Sequence, residues 1–95
     1  MQDWIRDELS RYDLKTVFIG FSDHALKDKN LMPEDIDKAV ETVRTGKVIP
    51  EKSDPVRKNV CFKRYFENNI TYIVIAGLHE EFMRIVTVIK GEGRI

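Results

Sequence analysis

The chain has 95 residues, 42% of them hydrophobic and 34% charged, with 16 Lys/Arg against 16 Asp/Glu. That length builds one domain with a single modest core, and the ordinary hydrophobic content argues against disorder. A formal net charge of zero excludes the long-range, non-specific pull on nucleic acid that a strongly basic protein exerts.

From Asp3 to Tyr12, Trp4, Ile5, Leu9 and Tyr12 fall near one face of a helix, which predicts a short amphipathic helix. The chain starts on the polar Met1-Gln2-Asp3, so a signal peptide is not expected. Thr16–Phe21 is apolar and β-rich and reads as a strand. Ser22 or Asp23 then caps a helix running to about Lys29. Pro33 opens the next helix, with Glu34 and Asp35 at the positive end of its dipole. Ile36, Ala39, Val40 and Val43 repeat at helical spacing, and Gly46 is the stop. Lys47–Pro50 reads as a short strand ended by its proline, and residues 51–58 as a polar connection. Three strands close the chain: Val60–Phe66, Ile70–Leu78 and Phe82–Lys90, with turns at Glu67-Asn68-Asn69 and His79-Glu80-Glu81 and a frayed tail at Gly91-Glu92-Gly93.

Helices first and a meander of strands afterwards predict an α+β domain with a mainly antiparallel sheet and helices packed on one face. If Asn68-Asn69 is a two-residue turn, Lys63, Tyr65, Tyr72 and Val74 share one face, and Phe62, Arg64, Phe66, Ile73 and Ile75 the other. The second set is the more apolar and is expected against the helices. Lys63, Tyr65 and Tyr72 are then expected on the open face.

Charge is unevenly distributed. Residues 1–46 hold seven Lys/Arg against ten Asp/Glu, and residues 47–95 nine against six. Residues 47–65 alone hold six basic residues against two acidic ones. Such a stripe can bind phosphates on a neutral protein, and it equally describes a solvated strand face. Cys61 is the only cysteine, which forbids an intrachain disulfide and fits a reducing cytoplasm. Inside an apolar strand it reads as a small core residue. No apolar run approaches the roughly 18 residues of a membrane span.

The segments Ser22-Asp23-His24-Ala25, Met32-Pro33-Glu34-Asp35-Ile36, Gly46-Lys47-Val48-Ile49 and Ile85-Val86-Thr87-Val88-Ile89 carry a resemblance. Their order and spacing resemble a family of unknown function with a Ser-Asp-His-Ala signature, grouped with the RelE, ParE and BrnT toxins. The resemblance spans Val17 to Lys90 and implies a RelE-like domain over residues 16–95 with residues 1–15 as an accessory amino-terminal helix. It implies a RelE/barnase-like fold, metal-independent endoribonuclease activity or RNA binding, and a cognate antitoxin-like partner. It maps the family's histidine onto His24 and its last-strand threonine onto Thr87. Relatives place an arginine a few residues after the histidine, where this chain has Leu26-Lys27-Asp28-Lys29. Lys27 substitutes the charge but not the bidentate geometry.

RNA cleavage without a metal needs a base for the ribose hydroxyl, an acid for the leaving oxygen and cations around the phosphate. Histidine is the side chain suited by its chemistry to either proton-transfer role, so His24 is the candidate, or it is structural at the strand–helix junction. Lys58, Lys63, Arg64 and Arg84 are candidate charge stabilisers, and Tyr65 and Tyr72 candidate stackers on bases. The expectation is that His24 meets Lys63, Arg64 or Arg84 within the span of one phosphate. His79, between two strands and beside Glu80 and Glu81, reads as a surface turn residue. Two histidines 55 residues apart give no zinc spacing, so no metal and no cofactor is expected. The other reading is a non-catalytic protein-interaction module on the same fold.

Overall fold

The elements follow the expected order in the computed structural model, which describes residues 2–28 and 30–95. They are α1 (Asp3–Leu9), β1 (Phe18–Phe21), α2 (Asp23–Asp28), α3 (Pro33–Thr45), β2 (Lys47–Val48), a 3-10 turn (Pro50–Lys52), β3 (Asn59–Phe66), β4 (Ile70–Leu78) and β5 (Phe82–Glu92). The Ser22 hydroxyl accepts the Ala25 N–H at 3.1 Å, which caps α2. The expected end of that helix at Lys29 lies outside the described residues. The five strands form one sheet in the order β1-β5-β4-β3-β2. β2–β3, β3–β4 and β4–β5 are antiparallel, and β1 pairs parallel with β5. The class is α+β, with a mainly antiparallel sheet and helices packed on it.

Alternation along the strands sends Val60 and Phe62, Tyr72, Val74 and Ala76, and Met83, Ile85 and Val88 to one face. There they meet Ala39 and Val43 of α3 and the fully buried Ile5 of α1 in one cluster. Each large side chain buried this way contributes about 1.5–3 kcal/mol. Ile5 ties the amino-terminal helix into the same core as the rest of the chain. Arg11 donates to the Glu80 carbonyl at 3.2 Å and the Tyr12 hydroxyl to the His79 carbonyl, so the segment after α1 also holds the β4–β5 turn.

The β3–β4 connection corrects the expected face assignment. Phe66 pairs with Ile70, so the loop has three residues, Glu67, Asn68 and Asn69, not two. Asn69 adopts φ 63° and donates its N–H to the Phe66 carbonyl at 3.0 Å. Asparagine tolerates that left-handed conformation, which closes three-residue hairpins. The extra residue moves all of β4 to the opposite face. Tyr72 and Val74 therefore lie against the helices with Phe62, Arg64 and Phe66, and Ile73 and Ile75 face outward with Lys63 and Tyr65.

β5 carries one irregularity. Thr87 pairs with Ile75 and Ile85 with Ala76, leaving Val86 as a bulge. The bulge keeps both Ile85 and Val88 in the core and puts Thr87 on the outer face. The strand continues through Gly91 and Glu92, where the sequence predicts a frayed tail, and the Gly93 N–H donates to the Asn69 carbonyl at 2.7 Å. No helix among the described residues is long and apolar enough to cross a membrane.

Candidate functional site

The charged strand positions on the outer face of the sheet have one sign. Its strand positions include Lys47, Lys63 and Arg84 and no acidic residue, because Glu92, the carboxylate of β5, has the parity of the helix side. None of the three cations forms an ion pair among the described residues. Lys47 pairs directly with Lys63 across β2 and β3, a like-charge arrangement that disfavours the isolated sheet. Tyr65, two residues on from Lys63, carries the Arg94 guanidinium 4.1 Å from its ring centroid and bonds Asn69 at 2.6 Å through its hydroxyl. Lys47, Lys63, Tyr65 and Arg94 thus form a basic, partly aromatic corner at one edge.

The remaining predicted residues disperse. Thr87 and Arg84 stand on β5, the strand against which α2 packs, and His24 is exposed on α2. Lys27 is exposed on the same helix. β3, which carries Lys63, is two strands beyond β5, about 10 Å at the usual strand spacing. Lys63 and Arg84 are separated by two strands and four residues of register, about 16 Å. No single phosphate spans that gap, so Lys63 and Arg84 do not share one. Arg64 lies on the helix side, opposite to Lys63. Its guanidinium donates to Thr45 Oγ1 at 2.6 Å, lies 3.5 Å from a Glu41 carboxylate oxygen and stacks 4.5 Å from the Phe66 centroid. Lys58 reaches Glu8 at 3.5 Å.

Tyr72, expected on the open face as a stacker, is 1% exposed. Its hydroxyl donates to Asp35 Oδ1 at 2.6 Å, and Lys90 Nζ reaches the same oxygen at 2.9 Å. The Met32 N–H donates to Asp35 Oδ2 at 3.1 Å. Burial acts to raise the Asp35 pKa, but the hydrogen bonds from Tyr72, Lys90 and Met32 outweigh it and hold the carboxyl below the ordinary aspartate value. Burial first, and then the bond to the Asp35 carboxylate, push the Tyr72 phenol above its ordinary value. The hub joins the start of α3 to β4 and β5 and is structural chemistry. Burial also pushes the Cys61 thiol up, so this cysteine is a poor nucleophile.

A groove of about 460 Å³ between α3 and the β3–β4 turn takes in Arg64 and Lys38. Glu34, Glu41 and Glu67 share it, and three carboxylates against two cations repel a phosphate. The outer sheet face is the more favourable anion surface.

The opposite corner of that face holds residues that the sequence did not single out. Phe18 of β1 pairs in register with Phe82 of β5 and is 69% exposed. The Phe82 ring stacks on His79 with centroids 4.6 Å apart and planes 8° apart, and Arg84 lies 5.6 Å from the Phe82 centroid. Arg84 is flanked in register by Gly20 and Gly77. Strand parity alone would have put Phe18 and Phe82 outside, but their pairing depends on β1 lying beside β5, which no local pattern announces. Comparison with protein-family models, curated proteins and solved structures finds no match for this chain.

Proposed function

We propose that this chain binds RNA on the outer face of its sheet, as a toxin-like relative of the RelE type acting in the cytoplasm. The observation that carries the reading is that the charged strand positions of the outer face, Lys47, Lys63 and Arg84, are all basic, on a protein of zero net charge. Cations about 16 Å apart suit a chain of phosphates better than a single one. The Lys47–Lys63 opposition is relieved when an anion lies between the two ammonium groups. The Ser-Asp-His-Ala resemblance supports the same ligand class. Binding is favoured over cleavage because the cations do not gather on one phosphate, as charge stabilisation of a single reacting centre requires. In the cleaving version of this reading His24 is the proton-transfer group, with Arg84 and Thr87 on the strand beside its helix.

The test is equilibrium binding and cleavage of labelled RNA with EDTA present, at low and moderate salt. Affinity is expected to fall steeply with salt, and Lys47→Ala and Lys63→Ala are each expected to reduce the salt slope by about 1. Cleavage that survives EDTA and disappears in His24→Ala would establish the ribonuclease version. Absence of RNA binding at low salt sinks the proposal and leaves the face to a protein partner such as an antitoxin-like chain, with Tyr65 and the exposed Ile89 as the first residues to substitute.

A further inference from the structure

We infer that the corner formed by Phe18, Phe82, His79 and Arg84 is a stacking platform for unpaired nucleobases, so that the RNA bound is single-stranded. This rests on the RNA reading and adds where, and in what form, the bases are held.

Three rings occupy one row across the outer face: Phe18 on β1, Phe82 on β5 and His79 where β4 ends. Phe18 exposes 69% of its surface, an apolar ring offered to solvent with no core to fill. The neighbouring row is Gly20–Arg84–Gly77–Asn59. Arg84 has no side chain beside it in this row, so its guanidinium can stack on a flat ring or meet a phosphate. The Phe18 ring lies over Gly20, where a Cβ would come within 3.2 Å of Cε2. Above Gly77, Asn59 Oδ1 and His79 Nε2 converge, at 3.2 and 3.8 Å from a Cβ placed there. These two polar atoms sit at the rim of the platform, where the edge of a stacked base presents its own donors and acceptors.

Aromatic rings read the faces of bases, and those faces are hidden in a duplex. From His79 to Ile73, the residue beside Lys63, is six residues of β4, about 20 Å. A single strand that stacks at the Phe18 corner therefore has room to lay its backbone toward the Lys47–Lys63 pair. The His79 end of the row is fixed by hydrogen bonds that Arg11 and the Tyr12 hydroxyl donate to the carbonyls of Glu80 and His79.

The experiment measures fluorescence anisotropy of a labelled 12-nucleotide single strand, and of the duplex of the same sequence, against wild type, Phe18→Ala, Phe18→Tyr, Phe82→Ala and Arg84→Ala. Thermal melting of each variant checks the fold, and Phe18, mostly solvent-exposed, is the substitution least able to disturb it. Wild type is expected to prefer the single strand. Phe18→Ala and Phe82→Ala are expected to weaken single-strand binding about 5- to 100-fold, the range for loss of one base stack. Phe18→Tyr restores the affinity, and Phe18→Ala leaves the salt slope unchanged, whereas Arg84→Ala lowers it. Salt-dependent RNA binding that is indifferent to Phe18→Ala and Phe82→Ala, or equal affinity for the duplex, overturns the platform and leaves the RNA reading standing. No RNA binding at low salt overturns both.

Discussion

The two faces of this sheet use charge in opposite ways. On the helix side Lys90 meets Asp35, Arg64 meets Glu41 and Thr45, and both Lys38 and Arg64 lie over the Phe66 ring. On the outer side Lys47 faces Lys63, and Arg84 lies between two glycines beside an aromatic row. Charges on the first face complete the fold. Lys47, Lys63 and Arg84 on the second form no ion pair among the described residues, and one pair of them opposes the fold. A neutral total charge conceals this division, because the acidic residues of the amino-terminal half are concentrated on the helices.

The contrast is largest at Asp35. Asp35→Ala leaves the buried Tyr72 hydroxyl without its acceptor and Lys90 without its counter-ion. Lys90 is half exposed, so the ion-pair part is discounted for solvent screening. The expected loss is about 2 kcal/mol, or roughly 8–16 °C in Tm for a domain of this size. Lys63→Ala on the other face is expected to move Tm by no more than a degree or two. Urea and thermal unfolding of the two variants side by side measure the contrast, and equal losses would abolish it.

A smaller effect follows from pH. The Asp35 pKa is lowered in the folded state, so its contribution is fully present above the unfolded value, about 4, and is lost as pH falls through the folded one. Tyr72 is raised, so its contribution is present below the unfolded value, about 10, and is lost as pH rises above it. Wild type should therefore lose stability below about pH 4 more steeply than Asp35→Asn, read from urea midpoints across that range. Parallel curves would show that the hub is electrostatically idle.

Parts of this division were legible in the sequence and parts were not. The α3 boundaries follow from Pro33 and Gly46, and the three long strands from their β-rich runs, because those signals are local. The face occupied by Tyr72 was not legible, because it depends on whether the β3–β4 loop has two residues or three. Glu67-Asn68-Asn69 permits either, and one residue reverses the whole strand. Neither was the position of β1. Its parallel pairing with β5 is a contact between residues more than sixty positions apart, and the Phe18–Phe82 row exists only through it. Lys63, Arg64 and Arg84 stand on strands, as their β-rich segments predict, but a sequence does not state which of two adjacent residues, Lys63 or Arg64, meets a carboxylate.

The finest measurement concerns Lys47 and Lys63 themselves. Directly opposed like charges on an antiparallel pair destabilise it by a few tenths of a kcal/mol, so Lys47→Gln and Lys63→Gln should each stabilise the protein slightly. The double variant should gain less than the sum, because the first substitution already removes the repulsion. A double-mutant cycle at low salt is expected to give a repulsive coupling that shrinks toward zero as salt approaches 1 M, where the screening length falls to about 3 Å. Adding RNA at low salt should reverse the ranking, with wild type gaining the most thermal stability because it alone keeps both cations for the phosphates. An attractive coupling between the two lysines without RNA would mean that the outer face already satisfies its own charge, and the distinction between the two faces would fail at the pair on which it most depends.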